Sequence, residues 1–88
     1  MKERYYERYR QMGARIAMYR KLNDITQEQL ADLADCAPSF IAQIEVCRNA
    51  PSLDMLFAIA DALGVSADKL LEPVPETFFL KPRTKKKA

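Results

Sequence analysis

The sequence predicts a small all-α domain of five helices, and three observations carry that prediction. Only two glycines and no tryptophan interrupt an 88-residue chain rich in Ala, Leu, Glu, Gln and Arg, residue types that give up little freedom in a helix. No alternating apolar run reaches strand length, whereas apolar residues recur at spacings of three and four. Two of the helical patterns fall side by side in Thr26 to Glu45, TQEQLADLADCAPSFIAQIE, with almost no chain between them. At this length one core is expected, burying roughly 60–65 % of the surface of the unfolded chain.

The first helix is expected from Lys2 to Leu22. Tyr5, Tyr9, Met12, Ile16 and Tyr19 follow one another at helical spacing and share one face of a long helix. Met12, Ile16 and Tyr19 have a core to cover. Tyr5 and Tyr9 project beyond it, and either form a half-exposed amphipathic turn with their hydroxyls in water or pack against the C-terminal segment or a second protomer. Gly13 weakens this helix locally, and Asn23 and Asp24 end it before Ile25, which staples the entry to the next.

The second helix begins at Gln27, because Thr26 and Gln29 form a capping box: the threonine oxygen accepts from a backbone N–H and the glutamine reaches back. Leu30, Ala31 and Ala34 share its inward face, and it stops at Asp35, a residue type that tolerates the left-handed conformation of a sharp turn. Pro38 opens the third helix, where its fixed φ fits and its missing N–H is not needed. Ile41 and Ile44 face inward, which leaves Pro38, Ser39, Ala42, Gln43 and Val46 outward. The pair reads as a helix-turn-helix with an outward face available to a partner.

Beyond Glu45, Arg48 and Asn49 are the long polar donors of the loop VCRNAP. Ser52 caps a fourth helix, central to the core through Leu53, Leu56, Phe57, Ile59, Ala60 and Leu63, and Gly64 ends it. Ser66 caps a short fifth helix with Leu70 and Leu71, after which Pro73 and Pro75 end helical structure. The chain thus divides into a domain over 1–72, an apolar non-helical extension over 73–80 for packing or dimerisation, and a basic tail over 81–88, KPRTKKKA. Thr77 to Leu80, through Phe78 and Phe79, is expected to cover the surface left by Tyr5, Tyr9 and the last helix, in its own subunit or across a dimer. The tail has nothing to fold around and is expected to be disordered.

The stretches RKLNDITQEQLA, IAQIE and APSLDMLFAIADALGVSADKLL resemble the phage repressor and Cro-like (Xre-type) helix-turn-helix regulators, and the likeness extends from Met12 to Leu71. Gln27, Ala31, Ile41 and Ile44 fall at that family's spacing. The resemblance implies a lambda-repressor-like DNA-binding domain with an extended first helix, in which small Ala31 lets the third helix cross the second closely. It also implies a mostly buried ion pair between Arg20 and Glu45. In function it implies a cytoplasmic transcriptional regulator that binds double-stranded DNA by sequence, as a homodimer, with Pro38 to Val46 in the major groove. Three positions depart from the pattern: Asp35 stands for the turn glycine, Ala37 for the hydroxyl cap of the reading helix, and Cys47 for the glycine after it.

Under that reading Pro38, Ser39 and Gln43 face the bases. A glutamine amide pairs bidentately with an adenine edge, and a serine hydroxyl bonds a groove edge or a phosphate. Gln27, Arg48 and Asn49 are the phosphate-contact candidates, while Phe40 is a packing residue. Charge complicates the picture, because a net +2 hides three blocks. Residues 1–21 carry seven basic and two acidic groups, residues 22–76 two basic and ten acidic, and residues 77–88 five basic. The motif itself is acidic, so the charge that neutralises phosphates must come from the first helix, Arg48, the tail and helix N-termini. That acidity, with apolar Pro38, Phe40 and Val46 on or beside the outward face, motivates an alternative: a protein-interaction module on the same fold with little DNA affinity.

No enzyme is expected, since the chain has no histidine, no glycine-rich phosphate loop and no paired carboxylates. No cofactor or metal is expected either, because two cysteines without a histidine cannot make a standard four-ligand zinc site. Both thiols are expected to be reduced, Cys36 in the core and Cys47 on the surface. The absence of a long apolar run and the polar N-terminus predict a chain that neither spans nor crosses a membrane.

Overall fold

The computed structural model describes residues 1–79, which form α1 (Tyr6–Leu22), α2 (Gln27–Ala34), α3 (Pro38–Glu45) and α4 (Leu53–Leu63). Single 3-10 segments stand at Glu3–Tyr5, Ala67–Leu71 and Glu76–Phe79, and no strand occurs among the described residues. Leu80 and the basic tail lie outside the described residues.

Helix starts follow the local chemistry. The Thr26 hydroxyl accepts from the Gln29 N–H at 3.0 Å while the Gln29 side chain accepts from the Thr26 N–H at 2.8 Å, completing the capping box. Ser52 accepts from the Met55 N–H at 3.1 Å. Pro38 occupies the first turn of α3, and Ala37 offers no side-chain cap.

All four helices end in one motif. Asp24, Asp35, Cys47 and Gly64 sit left-handed, at φ 58°, 59°, 61° and 74°. In each case the next residue's N–H reaches back five positions: Ile25 to the Arg20 carbonyl (3.3 Å), Cys36 to Ala31 (2.9 Å), Arg48 to Gln43 (2.7 Å) and Val65 to Ala60 (3.0 Å). These are Schellman caps, which satisfy carbonyls the helix would otherwise leave open. Only Gly64 takes the conformation without a Cβ penalty; the aspartates tolerate it through their short polar side chains, and Cys47 has no such relief.

The core lies where α1, α2, α3, α4 and Leu70 converge. Ile16, Leu30, Ile41, Ile44, Ile59 and Leu70 are fully enclosed, and burying each contributes about 1.5–3 kcal/mol. Ala31 is likewise fully buried, and its small side chain lets α2 and α3 pack closely.

Several expectations need correction. On α4, Leu53 and Phe57 are 68 % and 50 % exposed, because Leu56, Ile59, Ala60 and Leu63 define the inward stripe and these two are rotated off it. The fifth helix is the 3-10 segment Ala67–Leu71, too short for α-helical closure before Pro73. Ser66 does not cap it; its side chain bonds Asp68, whose carboxyl is thereby held below the ordinary 3.8. The extension is not wholly non-helical, since Pro75 starts a turn closed by the Phe78 N–H on the Pro75 carbonyl at 2.9 Å.

That extension is strapped to α1. Arg15 donates to the carbonyls of Glu72 (3.1 Å) and Pro73, Gln11 accepts from the Val74 N–H at 2.8 Å, and Val74 is buried. The Arg10 guanidinium lies 3.5 Å from the ring centroid of Phe79, which packs edge-on against Phe78. The two phenylalanines line a groove with Tyr6, Ala14, Ala17 and Cys47, whereas Tyr5 lines a separate one with Arg8, Tyr9, Met12 and Leu71. Tyr9 packs against the core, so within one subunit the two tyrosines do not share one cover with the phenylalanines.

Candidate nucleic-acid interface

The candidate reading helix is α3, and its far end is fixed from two sides. Glu45 receives Arg20 bidentately, Nε at 2.7 Å on one oxygen and an Nη at 3.1 Å on the other, while Gln27 donates to it at 2.9 Å. The remaining Arg20 Nη donates to the Ile25 carbonyl at 2.9 Å. The Arg20 and Glu45 side chains are 12 % and 5 % exposed, so the pair is nearly dry and every polar group in it has a partner. Two turns earlier on α1, Gly13 brings the helix backbone against the carbonyls of Ile44 and Glu45, where a Cβ would overlap the first. In the sequence Gly13 read only as a weak point; a glycine inside a good helix pattern was the available sign of this close crossing.

With the inward side held by Ile41 and Ile44, α3 presents Pro38, Ser39, Gln43 and Val46 to solvent, with Ala42 half-buried. Phe40 packs against the core, in line with its reading as a packing residue. Gln27, Ala42, Gln43, Val46 and Arg48 line one open groove, which brings two of the phosphate candidates to the base-reading face. Gln27 carries a second amide hydrogen beyond the one given to Glu45. Asn49 turns back: its Nδ2 donates to Gln43 Oε1 at 3.2 Å and its Oδ1 accepts from the Ala50 N–H at 2.9 Å. No local sequence signal marks that contact across six positions.

The positive charge of the first block is less available than the sequence suggests. Arg20 is held by Glu45, Arg15 by the extension's carbonyls, and Arg10 by Glu7 and Phe79. Lys2, Arg4, Arg8 and Lys21 remain exposed.

One cysteine departs from expectation: Cys47, expected on the surface, is buried. Cys47 is 8 % exposed, its sulfur 3.7 Å from that of Met1 and 3.9 Å from the Tyr6 carbonyl, because the left-handed turn after α3 folds it under the N-terminal segment. Cys36 is half-buried against the core. Burial first, and the Asp35 charge second, push the Cys36 thiol above its ordinary 9.0; burial does the same at Cys47. Among the described residues no group of histidine, cysteine and carboxylate is placed to hold a metal, and no helix is long and apolar enough to cross a membrane.

A short helix pinned at one end with Ser39 and Gln43 exposed on its outer face is the arrangement of a helix-turn-helix reader, and residues 16–70 match the Helix-turn-helix family HTH_3. The chain belongs to that family. It is a DNA-binding transcriptional regulator of the phage repressor and Cro-like type that its motifs resemble. The immunity repressor of Bacillus phage phi105 is 42 % identical over 60 residues, covering 68 % of this chain and 42 % of the repressor, so the regulator spans less than half of that relative. The uncharacterized HTH-type transcriptional regulator YazB of Bacillus subtilis is 38 % identical over 61 residues, covering 69 % of this chain and 88 % of YazB. Among solved structures, the restriction-modification controller protein C.AhdI of Aeromonas hydrophila superposes with a TM-score of 0.72 at 26 % identity, over 74 % of this chain and 98 % of that one.

Proposed function

We propose that this regulator recognises double-stranded DNA by sequence, with Pro38 to Val46 laid in the major groove. The observation that carries the reading is the placement of Ser39 and Gln43, exposed on a helix whose Glu45 end is held by Arg20 and Gln27. A side chain discriminates bases only if its backbone does not drift, and that network removes the drift. Pro38, Ser39 and Gln43 then face base edges. Gln27, through its second amide hydrogen, and exposed Arg48 flank them at the phosphates.

The regulator acts as a homodimer in the same proposal, for which exposed Leu53 and Phe57, one turn apart on α4, offer an apolar surface. Two reading helices related by a two-fold axis require inverted half-sites centred about 10 base pairs apart. The division into 1–72, 73–80 and 81–88, the cytoplasmic placement and the absence of enzymatic activity belong to this proposal too.

Selection of binding sites from a random duplex pool tests it, by returning inverted repeats at that spacing. Gln43→Ala is expected to relax one position per half-site, a loss of roughly 1–3 kcal/mol in discrimination. Selected sites that show no repeat, and do not change with Gln43→Ala, would remove Gln43 and the paired geometry together.

A further inference from the structure

We infer that Asn49 is a positioning residue for Gln43, fixing which end of the glutamine amide faces which end of the base edge. The inference rests on the proposal that Gln43 reads a base, and it gives Asn49 a different task from the phosphate contact suggested by its place in the loop. Asn49 is oriented by its own backbone: Oδ1 accepts from the Ala50 N–H at 2.9 Å, which leaves Nδ2 as the free end, and Nδ2 donates to Gln43 Oε1 at 3.2 Å. The turn between them is closed by the Arg48 N–H on the Gln43 carbonyl at 2.7 Å and by left-handed Cys47, so the loop returns Asn49 to α3 by construction.

The chemical consequence follows from the two ends of an amide. A freely turning glutamine offers acceptor and donor in either order, and its NH2 alone can also donate to the two major-groove acceptors of guanine. With Nδ2 of Asn49 on one lone pair of Oε1, the second lone pair remains and the order of acceptor and donor along the groove is set. That order matches the N6 donor and N7 acceptor of adenine in one orientation of the base pair. Asn49 therefore sharpens the choice of adenine over guanine, and of A·T over T·A, without touching DNA.

The test measures binding to the selected duplex, to duplexes changed at the Gln43 position, and to a random duplex, at several salt concentrations. The proteins are the unaltered chain, Asn49→Ala, Asn49→Ser, Gln43→Ala and the Gln43→Ala/Asn49→Ala pair, each confirmed folded by its melt. Serine keeps a small polar side chain in the loop but does not reach Gln43. Both single Asn49 variants are expected to lose about two- to tenfold in discrimination at that one position, the scale of one neutral hydrogen bond. Affinity for the random duplex and the salt slope should not move, and Asn49→Ala should add nothing once Gln43 is alanine. Three results overturn the inference. These are a uniform loss with a flatter salt slope, which makes Asn49 a phosphate contact; full discrimination in Asn49→Ser, which confines Asn49 to shaping the loop; and an Asn49 effect that persists without Gln43. If Gln43→Ala itself leaves discrimination unchanged, the base-reading role of Gln43 is what fails, and the positioning role falls with it.

Discussion

Gly13 of α1 lies directly against the carbonyl of Ile44 in α3, so closely that a methyl group at Gly13 would overlap that oxygen and stand 3.3 Å from the Glu45 carbonyl carbon. Two turns further along α1, Arg20 grips the Glu45 side chain. One helix therefore holds the end of the reading helix twice, once by backbone proximity and once by charge.

Gly13→Ala separates propensity from packing. On propensity alone alanine would stabilise a helix interior by about 1 kcal/mol. The overlap is with backbone, which cannot rotate away, so a net destabilisation of about 1–3 kcal/mol is expected, as for overpacked cores. Denaturant unfolding measures the sign. Specific duplex affinity should fall as well, because α3 has to shift. An alanine variant as stable as the parent would show that the crossing yields easily.

Arg20 and Glu45 should be strongly coupled. Arg20→Met leaves a carboxylate almost without solvent, with Gln27 as its remaining partner, and should cost roughly 3–5 kcal/mol. Replacing both residues with apolar side chains of similar volume should cost much less, since no stranded charge remains. The double-mutant cycle decides, and additivity within about 0.5 kcal/mol would contradict the coupling.

How much of this was legible in the sequence depends on range. The capping box at Thr26 and Gln29, the start at Pro38 and the inward set Ile41 and Ile44 are local patterns, and all three are in the structure. The Arg20–Glu45 pair spans 25 positions and was legible only through family resemblance. What escaped depends on three-dimensional closeness that leaves no periodic trace: Gly13 beneath Ile44, the strap of Gln11 and Arg15 on the extension, and Asn49 turned onto Gln43. The burial of Cys47 was not legible because helical periodicity stops at Glu45 and the turn that buries Cys47 lies beyond it, whereas Cys36 does pack against the core.

The thiols give a pH signature. Burial raises both above the ordinary 9.0, so the unfolded chain loses those protons at lower pH than the folded one. The associated stability is fully present below about pH 9 and is lost as pH rises through the raised folded values. Between pH 8 and 10 the parent should therefore lose more stability than a Cys36→Ala/Cys47→Ala variant measured in parallel. Equal losses would mean that both thiols titrate alike folded and unfolded. In the same buffers, native Cys47 should alkylate far more slowly than the denatured chain, as its burial requires.

The strap on α1 should matter for stability more than its exposed position suggests. Gln11→Ala removes the acceptor for the N–H of buried Val74, leaving a donor with no partner in a partly dry site, at a cost of about 1–3 kcal/mol. In a domain of this size that lowers Tm by roughly 4–8 °C per kcal/mol. Phe78→Ser with Phe79→Ser should cost less, because Phe78 is already 36 % exposed and their contact with α1 runs through the Arg10 guanidinium over Phe79. If the extension only packs, both variants melt earlier while the oligomeric state by sedimentation stays the same. If it also bridges two protomers, the serine pair weakens association at concentrations where Gln11→Ala does not. Variants that melt with the parent and associate like it would leave residues 73–79 without a structural role, contrary to the burial of Val74.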